Sequence, residues 1–183
     1  MAKPPEEPEL ASLLASIAAG SQSALERFYS VFQNRVYSYA LARLRDPHLA
    51  AEVVNEVMME VWRSAERFEG RSRVQTWLLG IAHHKVIDRF RRKPAPELVE
   101  LDDRLPDESD VGVERLLAGI EETERLQVCL DRLSDEHRLV MHLAFVEDLS
   151  YAEIAEVAEI PLGTVKTRVF HARKLLKRCL GAG

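Results

Sequence analysis

Residues 150–178, SYAEIAEVAEIPLGTVKTRVFHARKLLKR, read as two helices around a tight turn. Ser150 can accept a hydrogen bond from a first-turn N–H, and Glu153, three residues on, can reach back to it, which is a capping box. Ile154, Ala155 and Ala158 give the first helix an apolar side. Pro161 cannot sit inside a helix but suits a first turn, so a second helix opens near it. In that helix Val165, Val169, Ala172 and Leu176 follow at spacings of four, three and four, one buried stripe. The other side carries Lys166, Thr167, Phe170, His171 and Lys174, and Thr164 in the first turn joins this candidate set. From Gly163 to Arg178 there are six Lys or Arg and no Asp or Glu. A short helix, a turn and a basic second helix make a helix-turn-helix, whose second helix fits a DNA major groove. The bland alternative is a helical hairpin with a solvated basic face.

The net charge of −5 contradicts a DNA binder only on average, because the charge is segregated along the 183 residues. Hydrophobic residues are 46% and charged residues 30%, ordinary for a globular chain of one or two domains. No apolar run approaches the roughly 18 residues of a membrane helix. The N-terminus, MAKPPEEPEL, has no signal-peptide core, so the cytoplasm is the expected location. Cys129 and Cys179 form neither a disulfide framework nor a zinc spacing, and are expected to be buried thiols.

Upstream, the pattern is helical throughout, and the expected fold is all-α with two small domains. Residues 1–9 are expected to be disordered. Leu10, Leu13, Leu14 and Ile17 mark a short amphipathic helix. Ser23 with Glu26 reads as a capping box for a helix bearing Leu25, Phe28, Tyr29, Phe32, Val36, Tyr39, Ala40 and Leu44. Asp46 as N-cap and Pro47 at the first position open the next helix, about 47–67. Ala50, Val54, Val57, Met58, Val61 and Ala65 form its buried stripe. Glu52, Glu56 and Glu60, at i, i+4 and i+8, form an acidic one. Like charges at that spacing weaken a helix, so the stripe either serves a basic partner or is a solvated face. A loop with Arg71, Ser72 and Arg73 follows, with Ser72 as the expected cap of a helix over about 74–92. Leu78, Leu79, Ala82, Val86 and Phe90 share one side of it, and His84, Lys85, Asp88, Arg91 and Arg92 the other. Arg71 to Lys93 holds seven Lys or Arg against one acid, a second basic patch. Residues 10–93 thus form a first domain and 94–124 an acidic linker. From Glu97 to Glu124 there are eleven Asp or Glu against two Arg. Residues 125–183 form the second domain, with Ser134 capping a helix ahead of the helix-turn-helix.

Both blocks carry a family resemblance. The segment DPHLAAEVVNEVMMEVWRSAERFEGRSRVQTWLLGIAHHKVIDRFRR resembles the σ2 domain of bacterial extracytoplasmic-function (ECF) sigma factors of the sigma-70 family. LDRLSDEHRLVMHLAFVEDLSYAEIAEVAEIPLGTVKTRVFHARKLL resembles their σ4 domain. The resemblance covers about 10–93 and 125–180, in order and spacing. It implies a subunit that binds core RNA polymerase and promoter DNA, with an anti-sigma factor as a common further partner. By resemblance, Glu52 and Glu56, with Glu60 in line, fall on the polymerase-binding helix. Arg71 to Trp77, with Ser72 and Arg73 among them, fall on the loop that helps read the melted −10 strand, and His84, Lys85, Asp88, Arg91 and Arg92 on the polar side of the following helix join that candidate set. Lys166, Thr167, Phe170 and His171 fall on the −35 recognition helix, and Thr164 and Lys174 of the same helix join that candidate set. One departure stands out: the family usually has Gly where this chain has Glu159. A positive φ there costs a non-Gly residue on the order of 1–2 kcal/mol.

Two rival functions are an ordinary helix-turn-helix repressor or activator, and an enzyme with a helix-turn-helix appendage. The second basic patch and the acidic helix argue against the first, since a repressor needs one DNA surface per protomer. No nucleophile–base pair or phosphate loop supports the second. His83 and His84 are adjacent and point apart on a helix, so neither metal nor cofactor is expected. Trp77 is read as core rather than a DNA contact.

Overall fold

Asp46 shows how the local chemistry sets the boundaries. Its carboxylate accepts from His48 N at 2.9 Å and Leu49 N at 3.1 Å, and Pro47 fills the first helical position, so one helix ends and the next begins across two residues. The computed structural model describes residues 5–92 and 120–181. Among the described residues the elements are α1 (Glu7–Ala18), α2 (Gln22–Leu44), α3 (Pro47–Ser64), a 3-10 turn (Ala65–Arg67), α4 (Val74–Arg92), α5 (Ile120–Asp131), α6 (Asp135–Phe145), α7 (Tyr151–Ala158) and α8 (Leu162–Gly181), with no strand. Most of the acidic linker at 94–124 lies outside the described residues.

In the N-terminal half the expected stripes are the core. Phe28, Phe32, Val36, Tyr39, Ala40 and Leu44 of α2 meet Ala50, Val54, Val57, Met58 and Val61 of α3 and Leu78, Leu79, Ala82 and Val86 of α4, all buried. Tyr29 is exposed instead, at the margin of the stripe. Trp77 is partly buried, edge-on to Phe68 with ring centroids 5.5 Å apart, so it packs as a core-side residue. Ser21, not Ser23, caps α2: its hydroxyl accepts from Ala24 N at 3.3 Å, and Ser23 bonds to Ser21. The first helix starts at Glu7, inside the stretch expected to be disordered, because Leu10, Leu13, Leu14 and Ile17 are all buried and tie it to α2 and the 3-10 turn.

The C-terminal half closes on Val165, Val169, Ala172 and Leu176 of α8, against Leu139, Val140 and Leu143 of α6 and Ile154 and Val157 of α7. Arg138 of α6 is buried and donates to the carbonyls of Leu130, Asp131 and Leu133, at and just past the end of α5, where a helix leaves carbonyls short of partners. Cys129 and Cys179 are not free thiols: they are joined in a disulfide, with Cα atoms 5.8 Å apart. Sequence spacing gives no hint of this, because α5 and α8 are brought side by side only by the tertiary fold.

The capping box at Ser150 forms as expected. Ser150 Oγ accepts from Glu153 N, and Glu153 Oε2 accepts from Ser150 N at 2.9 Å. The turn after α7 needs the left-handed residue anticipated at Glu159, which has φ 53° and ψ 41°. Ile160 N donates to Ala155 O and Glu159 N to Glu156 O, a Schellman ending. Glu159→Gly is therefore expected to stabilise the chain by about 1 kcal/mol. The ion pair it gives up, to His84 at 3.2 Å, is exposed at both ends and worth little. A rise in the urea midpoint checks this; an unchanged or lower midpoint contradicts it.

Candidate nucleic-acid interface

Three surfaces carry the candidate residues. On α8, Lys166 and Lys174 are exposed, and Thr164, Thr167 and Phe170 are half-buried along the same length. Thr167 Oγ1 donates to Gly163 O at 3.0 Å, so its hydroxyl is turned back onto its own helix. His171 sits differently. Its ring packs edge-on to Phe170 at 5.6 Å and near His137, and its Nε2 is buried without a hydrogen-bond partner. Arg173, off the candidate set, lies over the Phe145 ring at 5.2 Å.

The acidic stripe of α3 is not free. Arg89 of α4 donates through Nη1 to Glu52 Oε2 at 2.7 Å and through Nη2 to Glu56 Oε1, and Lys85 Nζ reaches Glu60 Oε2 at 3.0 Å. Acids at i, i+4 and i+8 on α3 face bases at i and i+4 on α4, so two packed helices solve the like-charge problem of the first. Burial works against the Arg89 charge, and the two carboxylates more than offset it, holding its pKa above the ordinary arginine value. Lys85 thus turns toward α3, away from the rest of the expected −10 set. Each carboxylate keeps an open side: Glu52 is 57% exposed and Glu56 40%.

Of the −10 set, Arg71 is exposed and ion-paired with Glu69, Ser72 is half-buried, and His84, Asp88 and Arg91 lie on the outer face of α4. Asp88 and Arg91 pair loosely at 3.8 Å. The Arg92 side chain lies outside the described residues. Arg73 is held by the other half of the chain: its Nε donates to Glu153 Oε1 at 2.5 Å. Thr76 Oγ1, buried, donates to the same oxygen at 3.0 Å. Ser72 does not cap α4; the Val74 amide is taken instead by Glu7 of α1, at 2.6 Å.

These contacts belong to an interface between the halves, built largely of polar groups. Arg35 Nε meets Glu147 Oε2 at 3.0 Å, Gln75 donates to Glu147 O at 2.8 Å, and Arg43 Nη1 donates to Asp135 O at 2.6 Å. Glu147 is only 3% exposed and also faces His142, which packs edge-on to Tyr39. Tyr39 OH in turn meets His83 Nδ1 at 2.8 Å. Burial lowers the His83 pKa to about 4, with help from Arg43 and His84, so at neutral pH the ring is uncharged and Nδ1 serves as a neutral partner of the phenol.

Sequence reasoning missed Glu7, Thr76, Arg89, Glu147 and the second role of Glu153. Arg89 had a signal, since it repeats Lys85 at i+4 against an acidic helix. The others depend on contacts between residues far apart in the chain. Among the described residues no three His, Cys, Asp or Glu side chains gather as a metal site requires, and no helix is long and apolar enough to cross a membrane.

Comparison with known proteins places both halves. Sigma-70 region 2 matches residues 28–94, and sigma-70 region 4 matches residues 123–176. The ECF RNA polymerase sigma factor SigK of Mycobacterium ulcerans is 34% identical over 183 residues, covering 98% of this chain and 97% of the relative. SigK of Mycobacterium tuberculosis is 32% identical, covering 94% of each. Among solved structures, CnrH in complex with the cytosolic domain of CnrY has the same fold, with a TM-score of 0.66 at 23% identity over 94% of this chain and 97% of that one.

Proposed function

Because the chain belongs to the ECF sigma factors of RNA polymerase, we propose that it binds core polymerase and directs it to promoters, reading −10 and −35 elements with separate domains. The observation that carries this reading is the pair of distinct basic surfaces, one around Arg71–Arg73 and α4, one along α8, each inside its own sigma-70 region. On α8, Lys166 can bond a base edge or phosphate, and the Thr167 methyl and Phe170 ring can meet a thymine methyl. Around α4, Arg71, Arg73 and Arg91 grip phosphates, and the loop at Ser72 meets an unstacked base. In vitro transcription with sigma-free core tests the whole reading, on a promoter selected by the holoenzyme from a randomised −35/−10 library. Failure to select any promoter rejects it.

Two elements about 17 base pairs apart are roughly 58 Å apart, at about 3.4 Å per step. The contacts from Glu153 to Arg73 and Thr76 must part before both elements are engaged. The 16 residues from 94 to 109 reach at most about 50–58 Å by covalent geometry, so with the widths of the domains the two sites are within range.

The exposed edges of Glu52 and Glu56, and Glu60 beside them, offer the polymerase fixed carboxylates for charge-assisted pairing. Arg89 sharpens the test. Glu52→Lys with Glu56→Lys removes two pairs and crowds two cations onto Arg89, so it is expected to cost about 2–3 kcal/mol of stability at up to ~1 kcal/mol per interaction, as well as core binding. Glu52→Gln with Glu56→Gln keeps the shape and isolates the charge: it is expected to compete for core at least tenfold less well than wild type with a smaller loss of stability. Equal competition by the glutamine variant removes the polymerase-binding assignment.

An anti-sigma protein as the controlling partner completes the reading. It is supported by solved structures of the same fold, in which CnrH is bound to the cytosolic domain of CnrY and RpoE to the anti-sigma factor NepR. Such a partner competes with core for the same two-domain surface. Co-purification from the native cell, without inducing stress, is where it is expected to be captured.

A further inference from the structure

The first turn of α1 contributes to the end of α4. Glu7 Oε1 accepts from Val74 N at 2.6 Å, across 67 residues of sequence. Val74 is the first residue of α4, and its amide is one of those a helix N-terminus leaves without an internal partner. The residue at the cap position is Arg73, whose carbonyl accepts the first helical bond, from Trp77 N at 3.0 Å. An arginine side chain has donors only and cannot cap its own helix. Glu7 supplies the missing acceptor, and its charge sits at the positive end of the helix dipole.

Glu7 also bears on Arg73. The Arg73 guanidinium is held above its ordinary pKa by the hydrogen bond to Glu153 first, against a smaller opposing effect of burial, and Glu7 adds to the same field. The two carboxylates differ in what anchors them. Glu153 belongs to α7 and leaves with the helix-turn-helix when the halves part. Glu7 belongs to α1, whose Leu10, Leu13, Leu14 and Ile17 are buried in the N-terminal half, so it stays beside α4.

We propose that Glu7 is a positioning residue for promoter opening: by capping α4 from α1 it fixes the Arg71–Arg73 loop in the form that grips the melted −10 strand. The proposal rests on the assignment of that loop to the −10 element. It gives the N-terminal segment a task that neither sigma-70 region covers, since region 2 matches only from residue 28.

Glu7→Ala and Glu7→Gln test it in the full chain bound to core polymerase, on the selected promoter. Three quantities are read: permanganate reactivity of the −10 thymines, competition for core, and the thermal midpoint. Glu7→Ala is expected to lower thymine reactivity about fivefold, the size of a lost cap. Core competition should stay near wild type, and the midpoint should fall by no more than the few degrees that one lost cap costs. Glu7→Gln keeps an acceptor for Val74 N and is expected to fall within about twofold of wild type. Wild-type reactivity in Glu7→Ala overturns the role of Glu7. A loss of reactivity, core competition and midpoint together also overturns it, because that pattern is general destabilisation. A wild-type protein that competes for core but leaves the thymines unreactive overturns the loop assignment itself, and the proposal with it.

Discussion

Glu153→Gln is expected to destabilise the chain by about 2–3 kcal/mol at neutral pH and to remove part of its acid sensitivity. One carboxylate serves four donors here. Oε2 accepts from Ser150 N at 2.9 Å and Ser150 Oγ at 2.8 Å, and Oε1 accepts from Arg73 Nε at 2.5 Å and Thr76 Oγ1 at 3.0 Å. Burial on its own would raise the pKa. The bonds from Arg73, Ser150 and Thr76 together reverse that and bring it down from 4.5 to about 2. The sign follows from the depressed value. Above pH 4.5 the group is ionised in both states and its contribution is fully present. As pH falls toward about 2 the unfolded chain takes up a proton that the folded chain refuses, and the contribution is lost. An amide at this position keeps one acceptor but presents an NH2 to the other donors, and it has no charge for Arg73. Urea unfolding from neutral pH to pH 3 should therefore show a wild-type decline steeper than that of Glu153→Gln. Parallel profiles would mean that Glu153 is not the titrating clasp. The same substitution weakens the tie between the halves, so small-angle scattering should report a larger radius for the variant.

That clasp marks where the chain's order stops revealing its structure. The helices were legible because each rests on local chemistry: Asp46–Pro47, the Ser150–Glu153 box, and the spacing of Val165, Val169, Ala172 and Leu176. The strain at Glu159 was legible for the same reason, since a turn of that length after α7 demands a positive φ. The candidate surfaces were legible as segregated charge. Their pairing was not. Nothing in the spacing of Glu52, Glu56 and Glu60 says that α4 will lie across them with Arg89 and Lys85 facing inward. Nor does a capping glutamate announce a second partner on another domain. Glu153 reads the same in sequence whether it closes one helix turn or joins two domains. Ser72 was the plausible cap for α4 by proximity, yet Glu7 takes the Val74 amide, because α1 packs its first turn against that helix end. Long-range electrostatic partners depend on helix-packing geometry, and that geometry is set by the apolar stripes on the opposite faces.

Breaking the Cys129–Cys179 bridge is expected to cost the C-terminal half about 2–4 kcal/mol, concentrated in α5. The bridge closes a loop with a sequence separation of 50. Chain entropy alone allows up to about 4 kcal/mol for a loop of that size, before any relaxation of the native state. α5 is the vulnerable element because, among its described side chains at 125–131, the apolar anchoring is thin, and the carbonyls that Arg138 binds lie only at its last turn. Cys129 is its buried apolar residue, Leu130 packs partly buried, and Leu133 is buried just past its end, while Val128 is 52% exposed. Its side-chain ties to the end of α8 are weak: Arg125 Nη2 to Leu180 O at 3.3 Å, and Arg132 Nη1 to Cys179 Sγ at 3.8 Å. The helix-turn-helix has its own core in Leu143, Ile154, Val157, Val165 and Val169, none more than 1% exposed. Reduction, or Cys129→Ser with Cys179→Ser, should therefore release α5 before it disturbs α8. Amide hydrogen exchange resolves the two: protection should fall by a factor of ten or more over residues 125–131 and hold over residues 165–176. Equal loss in both helices would mean that the bridge supports the whole domain. Unchanged protection in α5 would mean that packing against α8 suffices without it.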